Sequence, residues 1–227
     1  MAIVNGNVLG NLSGKLGNLS ARTVEGKTIL AARPSSFNVS YDPAVVEVRQ
    51  KFAVTANLAK NINALSTLEA IWKSSKESGI SVFNTIFKKN FQFSDTDKPT
   101  VDNIITPGGF ALDVQTPVVG ANSITADISA LNTVSVFTPE EVDLTISALV
   151  CFYNPTNPDD PSYQLFNLSK DEAGFDFTTA YSLSMALNVL QQAIAAKYQN
   201  SILYLSVASK NVDGKVVQYS ATYSHNS

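Results

Sequence analysis

Hydrophobic and polar positions divide the chain into three stretches of different period. In the first forty residues short β-prone runs alternate with Gly and Asn. Leu19 to Val24, the turn Glu25-Gly26-Lys27 and Thr28 to Ala32 predict a hairpin preceded by a glycine-rich arm. Arg33-Pro34 ends the second strand, because proline restricts its predecessor and lacks an N–H for a ladder. Helical spacing takes over after Asp42, which is placed to cap, and Pro43, which suits the first helical position. Val45, Val48, Phe52, Leu58 and Ile62 then recur near every third or fourth residue up to Leu65. Further helices are expected from Thr67 to Glu77, around Ile71 and Trp72, and from Val82 to Lys89, around Phe83, Ile86 and Phe87.

From residue 93 the chain turns to Asp, Thr, Pro and Gly, and Pro99, Pro107, Gly108 and Gly109 predict a linker or loop. Short strands follow near Phe110 to Gln115, Ser123 to Ile128, Val142 to Tyr153, Tyr163 to Leu168, Ile202 to Ser209 and Lys215 to Tyr223. Turns are expected at Asn154-Pro155 and Asp213-Gly214. Between Ser182 and Tyr198 the residues Leu183, Leu187, Leu190 and Ile194 share one helical face, which predicts a helix covering a sheet face or edge. The expected fold is α+β, with three regions. Residues 1–40 form the glycine-rich arm and hairpin, 41–92 a helical hairpin, and 93–227 an antiparallel β-sandwich-like domain with one covering helix.

Composition adds a surface to this outline. The 227 residues are 44% apolar, enough for a substantial core, but only 15% are charged, against about a quarter in ordinary globular domains. So little charge repulsion suits a protein held against neighbours. The charge is also unevenly divided: residues 1–60 carry seven basic groups against three acidic, leaving the remainder at −7. A basic segment and an acidic body suit head-to-tail association between copies or contact with nucleic acid, and are equally what ordinary scatter of surface charge produces. The N-terminus lacks a basic n-region followed by a signal-length apolar stretch, and no run reaches the length of a membrane span.

Candidate chemistry is sparse. Ser13-Gly14-Lys15 and Gly26-Lys27-Thr28 each hold a fragment of a phosphate loop, but the first glycine of the pattern is replaced by Leu9 and Ala21, so the backbone cannot wrap a phosphate. The single histidine, His225, lies on a C-terminal tail expected to fray, which removes histidine-based triads and multi-histidine metal sites. The single cysteine, Cys151, sits in an apolar run and reads as a core thiol. Glu140-Glu141, Asp159-Asp160 and Asp171-Glu172 are candidate acid pairs, though adjacent acids on turns are normally just solvated. Phe91, Phe93, Tyr153, Tyr163, Phe166, Phe175 and Phe177 suit a sugar-stacking surface or a core, and Phe175-Asp176-Phe177 reads as a strand with one buried face. Basic and aromatic residues interleave only at Phe87-Lys88-Lys89-Asn90-Phe91, too briefly for nucleic-acid binding. No catalytic residue, cofactor or metal is expected.

The stretch SGKLGNLSARTVEGKTILAARP, followed by a helix carrying Val48-Arg49-Gln50-Lys51-Phe52, resembles an uncharacterised family from Bacteroidetes and their phages. Gly14, Lys15, Gly17, Asn18, Gly26, Lys27, Arg33, Pro34 and Phe52 match its pattern in order, and the apolar strand running into Tyr153-Asn154-Pro155 is similar to its closing β-domain. The helix signature of that family is met only loosely, by Arg49 and Gln50. The resemblance implies a fold and a phage or bacterial setting, with no catalytic residues to carry over. Together with the arm it gives an expected function: a non-enzymatic virion component, capsid-associated or in the neck or tail, assembled through an arm of Gly6, Gly10, Gly14, Lys15, Gly17, Asn18, Arg22, Gly26, Lys27 and Arg33. Its partners would be other copies of itself and other virion proteins, with no small-molecule substrate, no nucleic acid and no membrane span. It would be made in the bacterial cytoplasm and reside in the virion. The alternatives are a bacterial β-sandwich module binding a protein or glycan, and a carboxylate hydrolase.

Overall fold

A computed structural model describes residues 2–4, 12–24, 26–33, 36 and 39–227. The N-terminal part contains β1 (Ala2–Val4), β2 (Gly14–Leu16), β3 (Leu19–Val24) and β4 (Lys27–Ala32), antiparallel in the order β1-β4-β3-β2. Three helices follow: α1 (Pro43–Asn63), α2 (Ser66–Ser75) and α3 (Val82–Asn90). Asp42 accepts a hydrogen bond from the Ala44 N–H at 2.9 Å and Ser81 accepts one from Asn84, so both α1 and α3 start on side-chain caps.

The rest is β-rich. It comprises β5 (Val114–Val119), β6 (Ser123–Ile128), β7 (Glu141–Pro155), β8 (Tyr163–Glu172), β9 (Tyr181–Ala186), the short helix α4 (Val189–Ala195), β10 (Tyr198–Asn211), β11 (Val216–Tyr219) and β12 (Tyr223–Asn226). One sheet runs β11-β10-β7-β8, with β12 also on β10, and another runs β5-β6-β9. The chain is thus mixed α+β with a β-rich C-terminal part.

The long strands β7 and β10 explain the layering, because they are covered on both faces. Ile146, Ala148, Val150 and Phe152 alternate with Leu149 and Cys151. The first set shares a core with Ile124, Ile128, Leu183 and Met185 of the three-stranded sheet, the second with Leu58, Ile62, Ile71, Trp72 and Ile86 of the helices. Burial on both sides is why residues 144–152 are a near-continuous apolar run. The helical and β-rich segments therefore share one core.

Four expectations need correction. Of the two readings of residues 93–109, the loop holds and the linker does not: they thread between helices and sheet, with Ser94, Asn103, Ile105 and Thr106 buried. Polar contacts hold them there. Asn103 donates to Asn90 and Ser94, the Trp72 indole donates to the Ile105 carbonyl at 2.8 Å, and Thr222 accepts from the Ile105 and Thr106 N–H groups. Gly109 is required here, since a Cβ would lie 2.1 Å from the Tyr219 carbonyl oxygen. Second, the helix expected over 182–198 is a strand followed by seven helical residues. Leu183, Met185 and Leu187 are buried at a period of two, whereas Leu190 is 67% exposed; Leu183 and Leu187 fit both periods, and the intervening serines decide for the strand. Third, Phe175-Asp176-Phe177 is irregular, although Phe177 is buried and Phe175 packs against the core. Fourth, the C-terminal tail is a strand: His225 pairs with Leu203, and Ser227 exchanges two backbone hydrogen bonds with Ser201.

Candidate functional site

The N-terminal sheet is the part of the molecule that its own fold leaves unexplained. Leu16 pairs with Leu19 across the two-residue turn Gly17-Asn18, and Gly17 has φ +57°. Gly26, at φ +76°, occupies the β3–β4 turn. Nothing lies within 4 Å of where a Cβ would sit at Gly14, Gly17 or Gly26, so within the chain these glycines serve backbone conformation and not close approach. Arg33 ties its N–H to the Asn18 carbonyl at 2.8 Å, which closes the β2–β3 turn against the end of β4. Gly6 and Gly10 lie outside the described residues.

The register sorts side chains by charge. Lys15 pairs with Ser20, Arg22 with Ile29 and Lys27 with Val24, so the pleat puts Lys15, Arg22 and Lys27 on one face. Leu19, Ala21 and Leu30 occupy the opposite face with Thr23 and Thr28. The sheet thus gathers its described cations on one face, where Ser20, Ile29 and Ala31 accompany them, and carries none on the other. Among the described residues, none of the sheet belongs to either core cluster.

Helix α1 connects it to the body by an overhang. Residues 43–45 and 47–50 are exposed, burial begins at Val54, and Val45, Val48 and Phe52 form an apolar stripe, with Phe52 still 55% exposed. Phe52 leans on Phe87 at 4.6 Å between ring centroids, and Phe87 stacks on Phe91. Lys51 lies over the Phe91 ring at 5.4 Å.

Four of the six candidate acids serve the fold, while Glu140 and Asp159 are exposed. Glu141 is buried and accepts hydrogen bonds from the Thr138 N–H and hydroxyl, Ser209 and Gln218. Burial pushes its carboxyl upward, but these donors outweigh it and hold the group below the ordinary value. Asp171 accepts from Thr145 and Lys210, while Glu172, on the other face of β8, accepts from Tyr181 and pairs with Lys170 at 2.8 Å. Asp160 pairs with Lys197. Burial pushes the Cys151 thiol up to about 12, which removes it as a nucleophile. Among the described residues no three His, Cys, Asp or Glu side chains gather to hold a metal, and no helix is long and apolar enough to cross a membrane.

No family model matches the sequence, and no curated protein matches it. Among solved structures, a DUF3823 family protein from Parabacteroides merdae is similar over 52% of this chain and 52% of its own, at 15% identity and a TM-score of 0.27. β-Glucosidase 3B from Thermotoga neapolitana matches over 63% of this chain and 19% of its own, at 7% identity and a TM-score of 0.26. A β-glucosidase from Kluyveromyces marxianus matches over 66% and 19%, at 11% and 0.23. This chain thus spans about half the length of the first and about a fifth of the glucosidases.

Proposed function

We propose that this chain is a non-enzymatic assembly subunit that joins copies of itself through its N-terminal sheet. In line with the family resemblance of its opening motif, it would serve as a virion component in the shell, neck or tail of a phage. The observation that carries the assembly reading is the N-terminal sheet, whose described residues join neither core cluster yet whose cations Lys15, Arg22 and Lys27 all lie on one face. A monomer gains little from such an appendage, because a small sheet that adds nothing to the cores of the body is marginal in water. Contact with a neighbour supplies the burial that the body does not.

The test is the solution mass of the full chain and of a variant lacking residues 1–32, measured by light scattering over a range of concentrations. Expected are higher-order species for the full chain and a folded monomer for the truncated one. A full chain that stays monomeric at every concentration would instead favour the β-sandwich interaction module.

A further inference from the structure

Sheet edges are where strands are added, and proteins protect those they keep closed. On the three-stranded sheet, β5 is protected by Pro117, by a register break between Gln115 and Val118, and by Thr116 held at φ +47°. On the larger sheet, the β8 edge carries Lys170, Asp171 and Glu172 and lies along α1, where Asn167 donates to the Asn61 carbonyl at 3.0 Å. The opposite edge is made of the four-residue strands β11 and β12.

Strand β9 has none of these devices. It reads Tyr-Ser-Leu-Ser-Met-Ala, six residues without charge, proline or bulge, and its ladder with β6 is regular throughout. The Leu187 N–H bonds to the Asn122 carbonyl, which fixes the alternation of the ladder: Tyr181, Leu183 and Met185 bond to β6, while Ser182, Ser184 and Ala186 turn their N–H and C=O groups outward. Those three are exposed, and no strand pairs with that side among the described residues.

We propose that this β9 edge receives strand β2 of a second copy, so that the N-terminal sheet of one subunit continues the β5-β6-β9 sheet of the next. The inference rests on the assembly reading above and names the surface it uses. The two sheets complement each other in charge, with Ile29 and Ala31 accompanying the cations on that face. Because opposite residues share a face, docking that sets Lys15 against Ser182, Ser184 or Ala186 puts Lys15, Arg22 and Lys27 on the side where Asp127 accepts from Ser182. Strands β5, β6 and β9 carry no lysine or arginine, and Lys170 beside Tyr181 is already paired with Glu172. The same docking puts Leu19, Ala21 and Leu30 on the side of buried Leu183 and Met185. Lys15 is also the residue of β2 whose backbone groups are free, since Leu16 and Leu19 close the hairpin as the bonded pair. The contact is heterologous, so copies add head to tail.

Cysteine cross-linking of full-length chains tests this. Lys15→Cys is mixed in turn with Ser182→Cys, Ser184→Cys and Ala186→Cys and oxidised; paired strands bring Cα atoms within the span of a disulfide. Cys151 is buried and gives no background. The expected result is a disulfide heterodimer in at least one mixture that neither variant gives alone, together with loss of higher-order species in Ser184→Pro, which removes an outward N–H. Assembly of the full chain without any of the three cross-links overturns the β9 docking and leaves the assembly reading standing. Absence of any higher-order species overturns both.

Discussion

The helix–sheet body and the N-terminal sheet are built from similar residue types by opposite economies. In the body Trp72, Tyr204, Leu58 and Ile62 are essentially inaccessible, and even its longest loop is sealed by Asn90, Asn103 and Thr222. In the N-terminal sheet Ala21 and Thr28 are buried, while Leu19, Ile29 and Leu30 stay partly open. Local rules are obeyed equally well in both: the turns have their glycines, the strands their alternation. What differs is that, among the described residues, those of the sheet join neither core, and burial between layers supplies most of the stability of a domain.

The largest effect that sharpens this contrast is expected from matched truncations. Trp72→Ala removes a fully buried side chain and its hydrogen bond to Ile105, and should cost about 3–5 kcal/mol in denaturant titration. Leu30→Ala should change that same transition by less than about 0.5 kcal/mol, because Leu30 belongs to neither core of the body. Equal costs would break the distinction between body and appendage.

A smaller effect comes from pH. Glu141, Asp171 and Glu172 all have carboxyls held below their ordinary values, and all three fasten the body. For Glu141, the most buried of them, the stabilisation is complete above the ordinary carboxyl value of 4.5 and is lost as pH falls through its depressed folded-state value. The body's stability should therefore decline on acidification below 4.5, and less steeply in Glu141→Gln. An unchanged slope in that variant would remove Glu141 from the account.

The smallest effect is expected at Gly17, where φ is +57°. Gly17→Ala should cost about 1 kcal/mol locally. It should speed proteolytic cleavage within residues 12–33 and leave the main unfolding transition in place.

These contrasts also show what the sequence made legible. Helix α1 was readable because Asp42, Pro43 and the spacing of Val45 to Ile62 agree, and β6 was readable from alternation alone. The burial of the loop over 93–109 was not legible, because Pro99, Gly108 and Gly109 look the same whether a loop is exposed or buried; the difference lies in Asn90 and Thr222, distant in sequence. Strand β9 was hidden by Leu183 and Leu187, whose spacing satisfies both periods. For the candidate site, Lys15, Arg22 and Lys27 were picked out one by one, and only the register shows that they share a face. The free edge of β9 could not be seen beforehand, since an edge is defined by the strand that is absent beside it.

Hydrogen–deuterium exchange of the full chain at low and high protein concentration tests most directly whether the N-terminal sheet is completed by a neighbour. The account predicts that amides of β2, β3 and β4 exchange fast when dilute and become protected as concentration rises, along with Ser182, Ser184 and Ala186, while those of β7 and β10 stay equally protected at both. Protection of β2 to β4 that matches the body in dilute solution and does not change with concentration would contradict it.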